Sequence, residues 1–308
     1  MIKVTGLKKN YGKVEALKSI SFEVGRGSVF GFIGRNGAGK TTTMNILTGL
    51  MRFDKGKIFI MGRDFKQYKN ELIKKIGYLP ETPTFYDYMN AYEYLGFIGR
   101  ITGFGQRGTK KRTDELLKMV GLDRKGKRKI GGYSRGMKQR LALAIAIFKK
   151  PEVLFLDEPS SALDPEGRLE MLNLIENLKD NKITIFLSTH ILNDAERVCD
   201  TICIIDEGEM ILTEKLSRLY EKYIQPVFDI EFEKVPEAEV SLLKKISWVE
   251  DIVENGKKIS LQVKDIKHAK KEILLELSKL DMNIVSYRIR KRNLEDIFIG
   301  MVSKRENI

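Results

Sequence analysis

Residues 34–41 read Gly34-Arg35-Asn36-Gly37-Ala38-Gly39-Lys40-Thr41, and the reading of the whole chain turns on them. The spacing is G-x-x-x-x-G-K-[ST], a loop that wraps phosphate groups. Ahead of it, Val29-Phe30-Gly31-Phe32-Ile33 predicts a short buried strand; behind it, Thr42 to Leu47 predicts the first turns of a helix. The motif needs that setting. Glycines let the backbone curl so that successive N–H groups face one anion. The helix dipole adds partial positive charge at the same point. Lys40 then reaches the β- and γ-phosphates of a nucleoside triphosphate and the Thr41 hydroxyl serves Mg²⁺. Thr42 is placed to contact the next phosphate inward.

The chain's 308 residues allow one large domain and a small one, each with its own core. A hydrophobic share of 42% beside 31% charged residues is that of a soluble globular protein. The longest apolar run, Leu141 to Phe148, has eight residues, against the roughly 20 that span a bilayer. Met1-Ile2-Lys3-Val4-Thr5 carries no apolar leader, so a cytosolic protein is expected. Cys199 and Cys203 have no metal-ligand neighbours in sequence and read as reduced core residues. The net charge of +13 suits anionic lipid, nucleic acid or nucleotide alike. The lysines are spread along the chain, and charge alone does not choose a partner.

Outside the loop, the N-terminal segments Ile2-Lys3-Val4 and Ala16 to Val24 alternate as strands do. Tyr11-Gly12 is expected in the loop between them, where the ring either stacks on a purine or packs locally. Ile76 to Glu81 predicts a strand closed by Pro80. Residues from about 85 to 130 change character and read as a helical insert: Tyr86 to Ile101 as one helix, Asp114 to Val120 as another, with Gly103-Phe104-Gly105 as a breaker. Ser134 is a good helix N-cap, so Gly136 falls in a first turn. That is a second helix end suited to phosphate, although capping by itself accounts for a serine.

Val153-Leu154-Phe155-Leu156 runs into Asp157-Glu158-Pro159. An all-apolar strand is buried on both faces, as in a parallel sheet, and acids at its carboxyl end enter the crevice where such sheets bind ligands. There Asp157 suits the shell of a Mg²⁺ ion and Glu158 suits the polarisation of a water. Ile183 to Ser188 predicts a second such strand, ending at Thr189-His190. His190 either donates to a γ-phosphate or is a solvated loop residue.

Phosphate loop, Tyr133-Ser134-x-Gly136-Met137, Leu154-Phe155-Leu156-Asp157-Glu158-Pro159, Ser161-Ala162-Leu163-Asp164 and Ser188-Thr189-His190 stand in one order. On these motifs, residues 1–215 resemble the ATP-binding subunits of ATP-binding-cassette (ABC) transporters. The resemblance implies a P-loop NTPase domain of α/β class, over residues 1–217, with its helical subdomain at about 85–147. It implies that Tyr11 stacks on adenine, that residues Gly34 to Thr42 hold the phosphates, and that Thr41 and Asp157 serve Mg²⁺. Glu158 would be the general base and His190 would fix the γ-phosphate. Ser134 and Gly136 would act in trans, on ATP held by the phosphate loop of another subunit in a head-to-tail homodimer or a heterodimer with a paralogue. Asp164 would lie at that dimer contact.

Two positions depart from the family's pattern. Where it has a glutamine this chain has Glu81, which can still ligate Mg²⁺ but cannot donate as an amide does. The Leu-Ser-Gly-Gly-Gln signature is replaced at three places, by Tyr133, Arg135 and Met137. Both departures resemble the drug and antibiotic exporter branch, whose permease is a separate polypeptide. Beyond residue 217, strands and helices in the order βαββαβ predict a small ferredoxin-like α+β domain over 218–308, and Asn293 to Phe298 resembles that branch's terminal helix. The expected protein is thus a cytoplasmic ATPase on the inner face of the cell membrane, driving export through a separate permease, with no nucleic-acid partner. The rival is a soluble ABC ATPase acting on nucleic acid or ribosomes. Against it, the chain has neither a second cassette nor a long coiled-coil insert.

Overall fold

The structure is a computed structural model that describes residues 1–223, 226–235, 237–280, 282–291 and 294–295. It divides into two units, Met1–Leu216 and Ser217–Ile308.

The first unit opens with β1 (Ile2–Tyr11) and β2 (Val14–Val24), then β3 (Val29–Ile33) and α1 (Lys40–Leu47). β4 (Lys55–Ile60), β5 (Arg63–Asp64), α2 (Phe65–Leu72) and β6 (Ile76–Leu79) follow. The insert supplies α3 (Ala91–Ile101), α4 (Gln106–Met119) and α5 (Arg135–Ala146). The chain returns through β7 (Val153–Asp157), α6 (Pro165–Asp180), β8 (Thr184–Thr189), α7 (Leu192–Val198), β9 (Thr201–Asp206) and β10 (Glu209–Lys215).

Two sheets result. One is antiparallel, in the order β2-β1-β4-β5; the other has the order β10-β9-β3-β8-β7-β6 and is parallel except at β10. The parallel strands β3, β7 and β8 are buried at every position, as strands covered on both faces must be. Five phenylalanines join the sheets: Phe186 lies 5.4–5.7 Å, centroid to centroid, from Phe22, Phe30, Phe32 and Phe155. Each such buried ring contributes about 1.5–3 kcal/mol by leaving water.

Register then fixes what meets at one end of the parallel sheet. Ile33 pairs with Thr189, Asp157 with Ser188 and Leu79 with Leu156. The segments that leave these strands, bearing Gly34, His190, Glu158 and Glu81, therefore emerge side by side.

The insert differs from its sequence reading at two helix starts. The first helix begins at Ala91, not Tyr86, because Asn90 and Glu93 form a reciprocal capping box. The second begins at Gln106, eight residues before Asp114, and its buried face includes Thr109 and Thr113. Those hydroxyl residues mask the apolar periodicity. Gly99 lets the two helices touch, since a Cβ there would lie 2.3 Å from Thr109 Cγ2.

Cys199 and Cys203 are buried free thiols, and burial raises both pKa values. No described helix is long and apolar enough to cross a membrane.

The second unit follows α8 (Leu216–Tyr223) with β11 (Pro226–Phe232), α9 (Glu237–Leu243), β12 (Val249–Asn255), β13 (Lys258–Val263), α10 (Ile266–Ser278) and β14 (Ile284–Lys291). Its antiparallel sheet runs β12-β13-β11-β14, the ferredoxin-like arrangement. Phe228, Ile230, Phe232, Leu261 and Ile273 are in its core. Of the expected terminal helix, Asn293 and residues 296–298 lie outside the described residues; Leu294 and Glu295 are helical.

Candidate functional site

The phosphate loop is held open by backbone geometry. Gly39 stands at φ 104°, and a Cβ on it would lie 2.7 Å from Leu17 Cδ2 and 2.9 Å from Ala16 O. Only glycine fits there without displacing β2. Arg35, Asn36 and Gly37 are exposed along the loop, Gly34 and Ala38 are buried at its feet, and Thr41 is exposed at the start of α1 with Thr42 half-buried beside it.

Lys40 is buried, with 6% of its surface exposed. Its ammonium donates to Gly34 O at 2.8 Å and Arg35 O at 3.2 Å, and lies 3.3 Å from Glu158 Oε1. The last is an ion-pair contact without hydrogen-bond alignment, for Oε1 has no hydrogen-bond partner.

Asp157 ends β7 almost fully buried, and neither carboxylate oxygen has a hydrogen-bond partner of good geometry. Burial is the main cause that raises its pKa; the charges of Glu158 and Glu81 add to the rise, and the nearby Ser188 and Thr41 hydroxyls oppose it. Ser188 Oγ is likewise buried and unpartnered. Unsatisfied buried oxygens of this kind fit a hard divalent cation. Among the described residues no three of His, Cys, Asp or Glu gather as a metal site, so a cation here would lean also on Thr41 and on phosphate oxygens.

Glu158 adopts a left-handed backbone, φ 47°, uncommon for a residue with a Cβ. Its N–H donates to Ser188 O at 3.0 Å. His190 Nδ1 lies 2.9 Å from Glu158 Oε2. An ionised carboxylate only accepts, so Nδ1 carries the hydrogen and Nε2 is left for another partner. Glu81 is exposed just past β6. It shares a field with Asp157, since both charges reinforce the burial that pushes the Tyr78 hydroxyl up to about 12.

The structure therefore brings together the phosphate loop, Asp157, Glu158 and His190, with Glu81 at the adjoining strand end. Other expected residues stand apart from this cluster. Tyr11 is the last residue of β1 rather than a loop residue, and its hydroxyl meets Met51 Sδ at 2.9 Å. Met51 is itself tied to α1 through Asn45 O. Ser134 caps α5 by accepting from Met137 N at 3.2 Å. It is exposed, and Gly136 leaves room for a Cβ, 3.8 Å from Leu163. Asp164 is the N-cap residue of α6 without a side-chain cap bond, its Oδ1 lying over Gly167. Ser188 escaped the sequence reading as a site residue. Its signal was the parallel register that sets it opposite Asp157.

Comparison with known proteins agrees with this geometry. Residues 17–161 match the ABC transporter family, and residues 215–302 match the C-terminal domain of DrrA1-3-like ATP-binding proteins. The linearmycin resistance ATP-binding protein of Bacillus subtilis (strain 168) is 32% identical over 99% of both chains. The bacitracin transport ATP-binding protein of Bacillus licheniformis is 42% identical over 73% of this chain and 74% of its own. A dimeric ATP-binding cassette solved in a post-hydrolysis state with ADP and phosphate superposes with a TM-score of 0.64 at 25% identity, covering 70% of this chain and 99% of that one. A P-loop fold with an acid pair at its ligand crevice defines an ATP-hydrolysing cassette, and the chain belongs to the ATP-binding subunits of ABC transporters. It binds and hydrolyses ATP to power transport.

Proposed function

We propose that this subunit drives export of an antibiotic-class compound through a separate permease, from the inner face of the cell membrane, with no nucleic-acid partner. The printed names of its relatives support the substrate class. One observation carries the chemistry: Lys40, Asp157, Glu158 and His190 meet at the carboxyl ends of three parallel strands.

In this reading Gly34 to Thr42 hold the triphosphate and Lys40 faces its β- and γ-phosphates. A triphosphate on the loop would lie against two carboxylates; Thr41 and Asp157, with Glu81 nearby, would hold a Mg²⁺ ion, which would supply the neutralising charge. Glu158 accepts a proton from the attacking water as its oxygen bonds to the γ-phosphorus and the bond to the ADP oxygen breaks. With its Nδ1–H on Glu158, His190 fixes the γ-phosphate as the imidazolium, whose Nε2–H donates to a phosphate oxygen. Tyr11 stacks on adenine. Ser134 and Gly136 close on the ATP of a second subunit, a copy of this chain or a paralogue, and Asp164 lies at that contact. The ATPase occupies 1–217; 218–308 serves dimerisation or regulation.

Glu158→Gln is expected to keep ATP binding and lose about 10²–10⁴ of turnover. Near-normal hydrolysis by that variant removes Glu158 as the base. Purification from detergent-solubilised native membranes is expected to bring down a multi-span protein in stoichiometric amount; ribosomes or DNA in its place would overturn the transport partner. Removing residues after 217 is expected to change dimerisation or regulation while ATP still binds, and loss of binding in a folded truncation counts against the division.

A further inference from the structure

Asp194 stands in α7, four residues beyond His190, and only 2% of its surface is exposed. Its two oxygens serve different segments. Oδ2 accepts from the Ser160 hydroxyl, itself buried and two residues beyond Glu158. Oδ1 accepts from Arg168 Nε and faces Arg168 Nη2, each at 2.6 Å. Arg168 lies in the first turn of α6, where its N–H donates to the carbonyl of Asp164 at 2.9 Å. One carboxylate thus ties together the segment with Glu158, the segment with His190, and the helix end at Asp164.

Stability alone does not explain such a group. A buried ion pair adds little over apolar residues of the same volume, but its directional bonds fix orientation. Glu158 is held at its own position by Ser188 O, His190 and Lys40; beyond it the loop has short-range contacts, Ser161 N and Oγ to Glu158 O and Leu163 N to Ser160 O. These shape the loop without anchoring it to α7. We propose that Asp194 is a positioning residue for hydrolysis, holding Glu158 at its 2.9 Å contact with His190 and linking that pair to the helix end at Asp164. The inference rests on Glu158 acting as the base.

The test uses the full-length chain, with Ser160→Ala as the mild variant and Asp194→Asn as the direct one. Both are expected to lower kcat about ten- to hundredfold, the scale of an ångström-sized misplacement, with KM and ATP affinity within about twofold of the parent. In a Glu158→Gln background, Ser160→Ala is expected to cost nothing further, because the group it positions is already gone. A merely structural role predicts a lower melting temperature with unchanged kcat per folded molecule. Parent-like kcat in Ser160→Ala, beside an inactive Glu158→Gln, overturns the inference alone; so does an equal loss in both backgrounds. Near-normal turnover by Glu158→Gln by itself overturns the base assignment and the inference with it.

Discussion

Two helix ends in this chain are proposed to address phosphate, and they are built differently. The end at α1 is enclosed: its lysine is buried, bonded to loop carbonyls and paired with Glu158. The end at α5 is open: Ser134 is exposed, its hydroxyl occupied only by its own capping bond. Neither has an acid in its first turn, so neither dipole is offset from within its own helix. A group that balances its charge within the chain can fold around an absent ligand. The exposed end fits the proposed role of one half of a site that a second subunit completes.

The contrast is sharpened most by Lys40→Ala. It removes two or more charge-assisted contacts at about 1.5–3 kcal/mol each, so ATP affinity of the isolated chain is expected to fall by about 100-fold or more, read by titration calorimetry. Ser134→Ala should spare that affinity and lower dimer-dependent turnover by about tenfold, with about 1 kcal/mol lost from the cap. A weakened Kd in the isolated Ser134→Ala chain would break the comparison, since it would place the open end within the same chain's site.

Tyr11→Ala is expected to weaken ATP binding by roughly tenfold, the loss of one base–aromatic stack, while Tyr11→Phe keeps it. Loss in both would assign the effect to the hydroxyl and its Met51 contact.

The smallest effect is on stability. Burial raises the Asp157 pKa, so the folded chain holds that proton more tightly than the unfolded chain does. Its stabilisation is complete below the ordinary aspartate value of about 4 and is lost as pH rises through the raised value. Asp157→Asn should therefore raise the melting temperature of the nucleotide-free chain near neutral pH, by a margin that shrinks toward acid. A margin that grows toward acid would mean Asp157 is stabilised as an anion.

Much of this was readable in the sequence because the parallel strands are apolar throughout. Val153 to Leu156 and Ile185 to Leu187 are buried without exception, and the polar residues that follow such runs have one place to go. Reading failed where the determining partner is remote in sequence. Thr109 and Thr113 lie on a buried helical face that hydropathy does not mark, and Thr109 packs against Gly99 of the neighbouring helix. Ser188 gains its position from a neighbouring strand's register. The links from Asp194 to Ser160 and Arg168 span 34 and 26 residues and need the fold itself. Tyr11 was expected in a loop, but pairing with Val14 extends β1 to include it.

The buried Lys40 has a consequence for selectivity. Its ammonium is shared among Gly34 O, Arg35 O and Glu158 Oε1. In the proposed site, phosphate oxygens would compete with these three oxygens for the same ammonium. Adenosine or AMP, without β- and γ-phosphates, is then expected to bind more weakly than ATP, a difference that titration calorimetry reads. The loop would then rank its ligands by the length of their phosphate chain, with Glu158 among the groups that feel the difference.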